Sequence, residues 1–414
     1  MLISKLLLIM STVVLLVSML LSVGYNRSSD DVDVEVIPIG GDAIGPESFD
    51  FNPIDGTGPY TGVSDGRIIK LEASERGWID FAVTSPERSA YSSFKYIHVV
   101  FFVKFRTLGI GLTQSHDNSL VSPDPKELSS GETKPFWTSD GGYGPDKEHI
   151  NGRPLGLKFD KRTGDLYIAD AYFGLLAVGS NGGLATNLVS KAQGLPLLFT
   201  NSLDLDTTDR LIYFTDSSQR YTRRDHLLVV LTNDKTGSLI KYDIGSKEAV
   251  VLLKNLTFPN GVALSQDGNF LLVAETTNCR ILRYWLKTVK AGTLEVFADL
   301  PGFPDNIKRN QNGEFWVAMY SRRPKILRWI HSCPWVVNAL MKLPIDIVKL
   351  SSYIAKAGGE GLAAKLGVDG EILEILEDVN GKIWKYASEV MERDGYLWIG
   401  SVETPFAVKL KIKD

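Results

Sequence analysis

The sequence predicts an all-β fold: a six-bladed β-propeller with an N-terminal hydrophobic leader and a helical insertion in blade five. Three observations carry that expectation. An apolar strand, a polar turn and a second apolar strand ending in a small or acidic residue recur along the chain. Thirty-eight Gly and 18 Pro suit a turn-rich β protein better than a helical one. Before residue 330 no long helical period interrupts the series, whereas a doubly wound α/β fold needs helices between its strands. Strands of about four to seven residues, joined by Asp-Gly or Asn-Gly turns and repeated at intervals of tens of residues, are the signature of propeller blades.

The units follow in order. Residues 48–51 then 59–64 open the series, and 156–160 then 165–170 repeat it. The next are 202–206 then 210–216, 262–265 then 269–275, and 307–309 then 314–319. Residues 386–390 then 396–401 close it. In most units a third strand follows, such as 238–242 or 281–285, and then a fourth, such as 249–253 or 293–298. The last blade lacks an outer strand of its own. Residues 33–37, alternating acidic and aliphatic, are placed to supply it and close the ring, so the propeller is expected over 33–414.

The N-terminus carries an address. Residues 6–23 are uncharged and rich in Leu, Val and Met, with Lys5 before them and Asp30, Asp31, Asp33 and Glu35 after. That run exceeds the roughly 7–15 apolar residues of a signal-peptide core and approaches the ~20 of a membrane span. Residues 1–25 are therefore a signal anchor, or a signal peptide cleaved near Ser22-Val23-Gly24. The positive flank puts the body in an endomembrane lumen (endoplasmic reticulum or vacuole) or on the extracellular side of a membrane. Two sequons, Asn26-Arg27-Ser28 and Asn255-Leu256-Thr257, agree with glycosylation in such a compartment.

Of 414 residues 44% are apolar, enough for a large core, and 45 Lys and Arg against 49 Asp and Glu leave a net charge of −4. Such a balance gives no global electrostatic case for nucleic acid. Cys279 and Cys333 are too few for a disulfide framework, though one bridge is open to them.

Strand parity places the loops. If first strands run away from one face, that face also carries the second-to-third-strand loops and the inter-blade connections. Two long insertions fall there, 106–150 and 320–361. Within the second, Val336, Val337, Leu340 and Met341 share one helical face, as do Ile347, Leu350 and Ile354 after Pro344. Arg322, Arg323, Lys325, Arg328, Lys342, Lys349 and Lys356 make it basic. It reads as a lid, as an interfacial membrane helix over 331–356, or as a helix packed on the rim.

The chemistry concentrates at the first-strand starts. Glu47, Asn201, Asn260, Asp305 and Asn306 recur there in separate blades and are expected to converge on the axis. Two carboxylates and two or three amide carbonyls are hard oxygen donors, which suits Ca²⁺. No Cys or His falls at these positions, which disfavours zinc. A divalent ion at a propeller mouth polarises a carbonyl oxygen, so hydrolysis of a small ester or lactone is the expected reaction, with Asp305 as the catalytic candidate. A non-catalytic binding propeller that uses the metal structurally is one alternative.

These residues also carry a resemblance. Gly45-Pro46-Glu47-Ser48, the turn Asp65-Gly66 before Arg67-Ile68-Ile69-Lys70, and Gly152-Arg153-Pro154-Leu155-Gly156-Leu157 resemble strictosidine synthase-like proteins. Tyr213-Phe214-Thr215-Asp216, Arg283-Tyr284-Trp285 and Pro304-Asp305-Asn306-Ile307 do likewise, and the match runs from about residue 40 to the C-terminus. The resemblance implies a six-bladed propeller in a family that includes adipocyte plasma membrane-associated proteins. More distantly the chain is similar to paraoxonases and gluconolactonases, which are metal-dependent hydrolases. Strictosidine synthase itself condenses an amine with an aldehyde using a glutamate, and the resemblance puts Ser388 at that position. Glu389 is adjacent, and one step along a strand is expected to turn it to the opposite face. The synthase lacks the metal-binding polar residues that the resemblance assigns to Asn201, Asn260 and Asp305, and paraoxonase-like hydrolases keep them. The paraoxonase histidine dyad corresponds here to Leu155 and Asp170, and Asn151 stands where a family cysteine is usual.

Overall fold

The computed structural model describes residues 33–40, 43–72, 77–88, 147–342 and 359–412. The leader, the sequon at Asn26, residues 106–146 of the first insertion and residues 343–358 of the second lie outside the described residues. No helix among the described residues is long and apolar enough to cross a membrane.

Six antiparallel sheets follow one another as blades. Blade 1 is built from Phe49–Asp50, Tyr60–Gly62, Arg67–Glu72 and Gly77–Val83, and blade 2 from Pro154–Phe159, Leu166–Asp170, Gly174–Val178 and Thr186–Val189. Blade 3 holds Thr200–Asp206, Leu211–Asp216, Gly237–Asp243 and Glu248–Leu256. Blade 4 holds Pro259–Leu264, Phe270–Glu275, Arg280–Trp285 and Leu294–Asp299. Gly302–Arg309, Phe315–Arg322, Gly361–Leu366 and Ile372–Asp378 make blade 5. In blade 6, Ala387–Arg393, Tyr396–Ser401 and Phe406–Lys411 are completed by Val34–Pro38, which pairs with Phe406–Lys411 and closes the ring as expected. One addition went unforeseen: Gly183–Leu184 of blade 2 pairs in parallel with the outer strand of blade 1.

The turns obey local chemistry. Asp206 accepts the N–H groups of Thr208 and Asp209 through Oδ1, and Asn310 accepts those of Asn312 and Glu314. Asp394-Gly395, both at positive φ, make the tight two-residue hairpin of blade 6. Apolar burial is organised between blades rather than within them. One cluster joins blades 1 and 2 through Tyr60, Ile68, Leu157 and Ile168, and another joins blades 4 and 5 through Ala274, Ile281, Phe315 and Val317. The junction of blades 6 and 1 is held by Phe49 and Phe51 against Trp398. Each blade thus buries both faces against its neighbours, at roughly 25 cal/mol per Å² of apolar surface.

Glycine lets the inner strands approach. A Cβ on Gly156 would lie 2.9 Å from Cα of Ser202, and one on Gly261 would lie 2.5 Å from the backbone N of Ile307. These contacts press the start of blade 2 against that of blade 3, and blade 4 against blade 5, where the candidate residues sit.

Four helices matter for the site: α1 (Glu148–Asn151), α2 (His226–Leu231), α3 (Lys325–Ser332) and α4 (Pro334–Leu340). The last three belong to second-to-third-strand connections and α1 to the connection between blades 1 and 2, so all four stand on the face where first strands begin. A helical break falls at Cys333-Pro334, and Pro344 lies outside the described residues. Helix α3 packs on the rim, with Leu327 and Ile330 buried and His331 Nε2 2.9 Å from the Val230 carbonyl of α2. Cys279 and Cys333 are both free, so no bridge joins them.

Candidate functional site

The first strands share a departure from regular pairing. In blade 3, Thr200 pairs with Asp216 and Leu203 with Phe214, so Asn201 and Ser202 stand opposite Thr215 alone. In blade 4, Asn260 and Gly261 stand opposite Ala274, and in blade 5, Asp305 and Asn306 stand opposite Ala318. Leu155 in blade 2 and Ser388 in blade 6 are each one extra residue in the same place. A bulge bends the strand and frees its extra residue from the ladder. Repeated around the ring, it turns these side chains toward the channel mouth.

The residues expected from the sequence are all buried: Glu47 at 3%, Asn201 at 3%, Asn260 at 4%, Asp305 at 7% and Asn306 at 1% exposure. Asn260 donates a side-chain hydrogen bond to the Asp305 carboxylate, and Glu47 is near enough to repel it. Asn201 Nδ2 donates to Ser217 Oγ at 3.1 Å, and Ser217 in turn donates to the Pro259 carbonyl at 2.8 Å, which ties blade 3 to blade 4. Oδ1 of Asn201, of Asn260 and of Asn306 has no hydrogen-bond partner, nor has Nδ2 of Asn306. Native proteins seldom leave buried polar atoms in that state. Among the described residues no three His, Cys, Asp or Glu side chains form a metal-ligand group, so amide oxygens must complete any such set.

The electrostatics point the same way. Burial, then the Glu47 charge, hold the Asp305 carboxyl well above the usual carboxylate range. Burial also raises Glu47, against the pull of Arg153. The Arg153 guanidinium is wholly enclosed and donates from Nη2 to Glu47 Oε2 at 3.1 Å. Above it, Glu148 of α1 receives Arg223 Nη1 at 2.9 Å and the Tyr172 hydroxyl at 3.2 Å. The end of the first insertion therefore does reach the mouth. Tyr320, whose ring lies 4.9 Å from that of Tyr386 at a tilt of 30°, is close enough for Asp305 to help raise its phenol, after burial and Glu403.

Other polar positions resolve differently. Asp170 accepts the backbone N–H groups of Arg153, Tyr172 and Phe173, and Asp216 accepts that of Phe199. Both carboxylates are turn clamps. Leu155 packs with Phe199 and Phe258, so a proton-relaying pair is missing at these positions. Asn255 is exposed, and its backbone is left-handed.

One expectation is corrected. Glu389 was placed on the face opposite Ser388, yet the register irregularity between Ala387 and Glu389 cancels the alternation. Ser388 Oγ donates to the Glu47 carbonyl at 2.6 Å, and Glu389 Oε1 accepts the Phe49 N–H at 2.6 Å, so both lean on blade 1. Burial pushes the Glu389 carboxyl up to about 7, against the opposing pull of Lys308. Lys308 Nζ lies 3.4 Å from Glu389 Oε2 and 3.5 Å from the Leu157 carbonyl of blade 2. This pair crosses the channel below the mouth. Sequence reasoning assigned no role in the site to Arg153, Arg223, Glu148 or Tyr320, whose partners there lie far away in the chain.

A cavity of about 390 Å³ opens at the opposite end of the channel, lined by Asp50, Lys158, Asp204, Arg309 and Arg393. Its acids are already satisfied: Asp204 meets Lys158 at 3.0 Å and the Leu264 N–H at 2.8 Å, and Asp50 meets the Phe159 N–H at 2.7 Å.

Comparison with known proteins adds three findings. The family profile described as strictosidine synthase matches residues 201–289. The chain is 48% identical over 364 residues to strictosidine synthase-like protein 10 of Arabidopsis thaliana, covering 88% of this chain and 84% of that one. It is 38% identical over 275 residues to an adipocyte plasma membrane-associated protein of Salmo salar, covering 64% and 65%. Among solved structures it is similar to a gluconolactonase of Xanthomonas campestris, with a TM-score of 0.50 at 13% identity over 94% of this chain and 99% of the other. That likeness shows the propeller fold alone.

Proposed function

The chain belongs to the strictosidine synthase-like family, and from that premise we propose that it is a Ca²⁺-dependent hydrolase of a small ester or lactone, working at the propeller mouth. The observation that carries this reading is the trio of buried, unpartnered Oδ1 atoms of Asn201, Asn260 and Asn306 beside the carboxylates of Asp305 and Glu47. Each buried acceptor left unpaired costs roughly 1–3 kcal/mol, and two facing carboxylates repel. One hard cation with six to eight oxygen ligands relieves both costs. Glu47, Asn201, Asn260, Asp305 and Asn306 would hold it, and when bound it would supply Lewis-acid polarisation of a carbonyl oxygen.

The chain's own residues supply the rest. Asp305, steadied by the Asn260 amide, is the group placed to accept a proton from an attacking water. Arg153 fixes the Glu47 carboxylate, and Arg223 fixes Glu148 above it. Tyr320 and Tyr386 wall the blade 5 and blade 6 side. Amine–aldehyde condensation fits less well, because Ser388 spends its hydroxyl on the Glu47 carbonyl and Glu389 is enclosed against Phe49 and Lys308. A lumenal or extracellular body also meets the reading, since extracellular calcium modules work at 10⁻⁴–10⁻³ M. The leader and the exposed Asn255 support that compartment.

Calorimetry and elemental analysis test the metal, and a panel of esters and lactones tests the chemistry. We expect one Ca²⁺ per chain, about tenfold weaker binding in Asn260→Ala, and turnover abolished by EDTA. Bound calcium with no turnover on any substrate would leave a binding propeller. Product from tryptamine and secologanin that survives EDTA would overturn the proposal.

A further inference from the structure

The second insertion leaves a face that the rim does not use. In α3, Leu327, Ile330 and His331 meet the body. Lys325, Arg328, Trp329 and Ser332 recur at one-turn spacing on the other side and are exposed. Trp329 is 46% exposed, and Trp335 at the start of α4 is 69% exposed. Met341 is 42% exposed, and Lys342 beside it is exposed too. Soluble surfaces seldom carry two such indoles, and a cluster of that kind marks an interaction site.

Charge identifies the partner. Residues 321–342 contain Arg322, Arg323, Lys325, Arg328 and Lys342 and no Asp or Glu. Arg322 is committed to Glu360 and Glu377 and Arg323 is half-buried, which leaves Lys325, Arg328 and Lys342 as exposed cations flanking the two indoles. An amphipathic ring that seeks the water–lipid boundary, bordered by cations, is what an anionic bilayer surface recognises. We propose that the outer face of α3 and α4 docks the propeller on a membrane rich in anionic lipid, with Trp329 and Trp335 inserted at headgroup depth. Both helices stand on the mouth face, so docking turns the channel mouth toward the bilayer and favours substrates that partition into it.

The ring closes through Val34–Pro38, so a body beginning at residue 26 retains the whole propeller and removes the leader as a rival anchor. Its co-sedimentation is measured with vesicles of phosphatidylcholine alone and with about a third phosphatidylserine. We expect binding to the anionic vesicles only, weakened roughly fivefold or more by each of Arg328→Glu and Lys342→Glu and lost in the double variant Trp329→Ala/Trp335→Ala. Tryptophan emission should shift to the blue on binding, and salt should reverse it. Unaltered circular dichroism in each variant establishes that the fold is intact. Absence of binding to either vesicle, or binding that the variants leave unchanged, overturns the proposal. So does concentration-dependent self-association abolished by the tryptophan variant, which would make a second copy the occupant.

Discussion

The two ends of the central channel are built on the same inner strands, three residues apart, and they handle charge in opposite ways. At the mouth stand Glu47, Asn201 and Asp305, and at the far end Asp50, Asp204 and Lys308 lie one bulge further along. Far-end acids are answered by their own fold: Asp204 by the Lys158 ammonium and two backbone N–H groups, Asp50 by the N–H groups of Phe51 and Phe159. Although burial opposes it, Lys158 and those N–H groups hold the Asp204 carboxyl below its ordinary range. At the mouth the balance is reversed, with Asp305 held high and three amide oxygens without partners. The proposed calcium site rests on that difference between the two ends.

The largest effect should come from Asp305→Asn. Losing the proton acceptor and one formal charge should lower turnover at least a hundredfold, about 3 kcal/mol on the barrier. Because the buried repulsion with Glu47 also disappears, the melting temperature in EDTA should hold or rise. Retained turnover would show that Asp305 is not the base, and a lower melting temperature would show that it is a structural residue.

Next comes Glu389→Gln, which tests the partition between the ends. The folded carboxyl titrates near 7, above the unfolded value of 4.5, so the stability it contributes is present below about 4.5 and is lost as pH rises through 7. By linkage this one group should weaken the metal-free protein by about 2 kcal/mol between pH 5 and pH 7. Asp170 and Asp216, raised by burial to about 6 and about 7, act in the same direction. The glutamine variant should flatten the slope measured by urea unfolding in EDTA, while its amide oxygen still accepts the Phe49 N–H. An unchanged slope would mean that the Lys308 ammonium keeps Glu389 ionised throughout.

The contrast also explains how much the sequence disclosed. The blades were legible because turn and strand chemistry is local: Asp267-Gly268 and Asp394-Gly395 mark their turns without help from the rest of the chain. Ring closure by Val34–Pro38 showed in its alternation of acidic and aliphatic residues. Asn201, Asn260 and Asp305 were legible because the same residue type returned at the same place in successive units. The bulges were not, since two consecutive polar residues give alternation nothing to register, and Glu389 was assigned the wrong face for that reason. Nor was the Arg153–Glu47 pair, whose partners are 106 residues apart in the chain and meet only when blade 1 packs on blade 2.

The smallest expected effect is the control at the far end. Asp204→Asn removes the countercharge of Lys158 and weakens the acceptor for the Leu264 N–H, without touching the mouth. Breaking a fully buried pair costs about 3–5 kcal/mol, but the Lys158 side chain is 32% exposed and water can take over part of its solvation. The expected loss is therefore only about 1 kcal/mol, discounted as for a pair reached by solvent. It should be the same with and without calcium, because the group it disturbs is not a ligand. Calcium affinity and turnover should match the parent chain within twofold. If Asp204→Asn instead impaired calcium binding as severely as Asp305→Asn, the two ends would not be independent. The channel would then be a single electrostatic unit, and the open mouth would owe its character to the closed end beneath it.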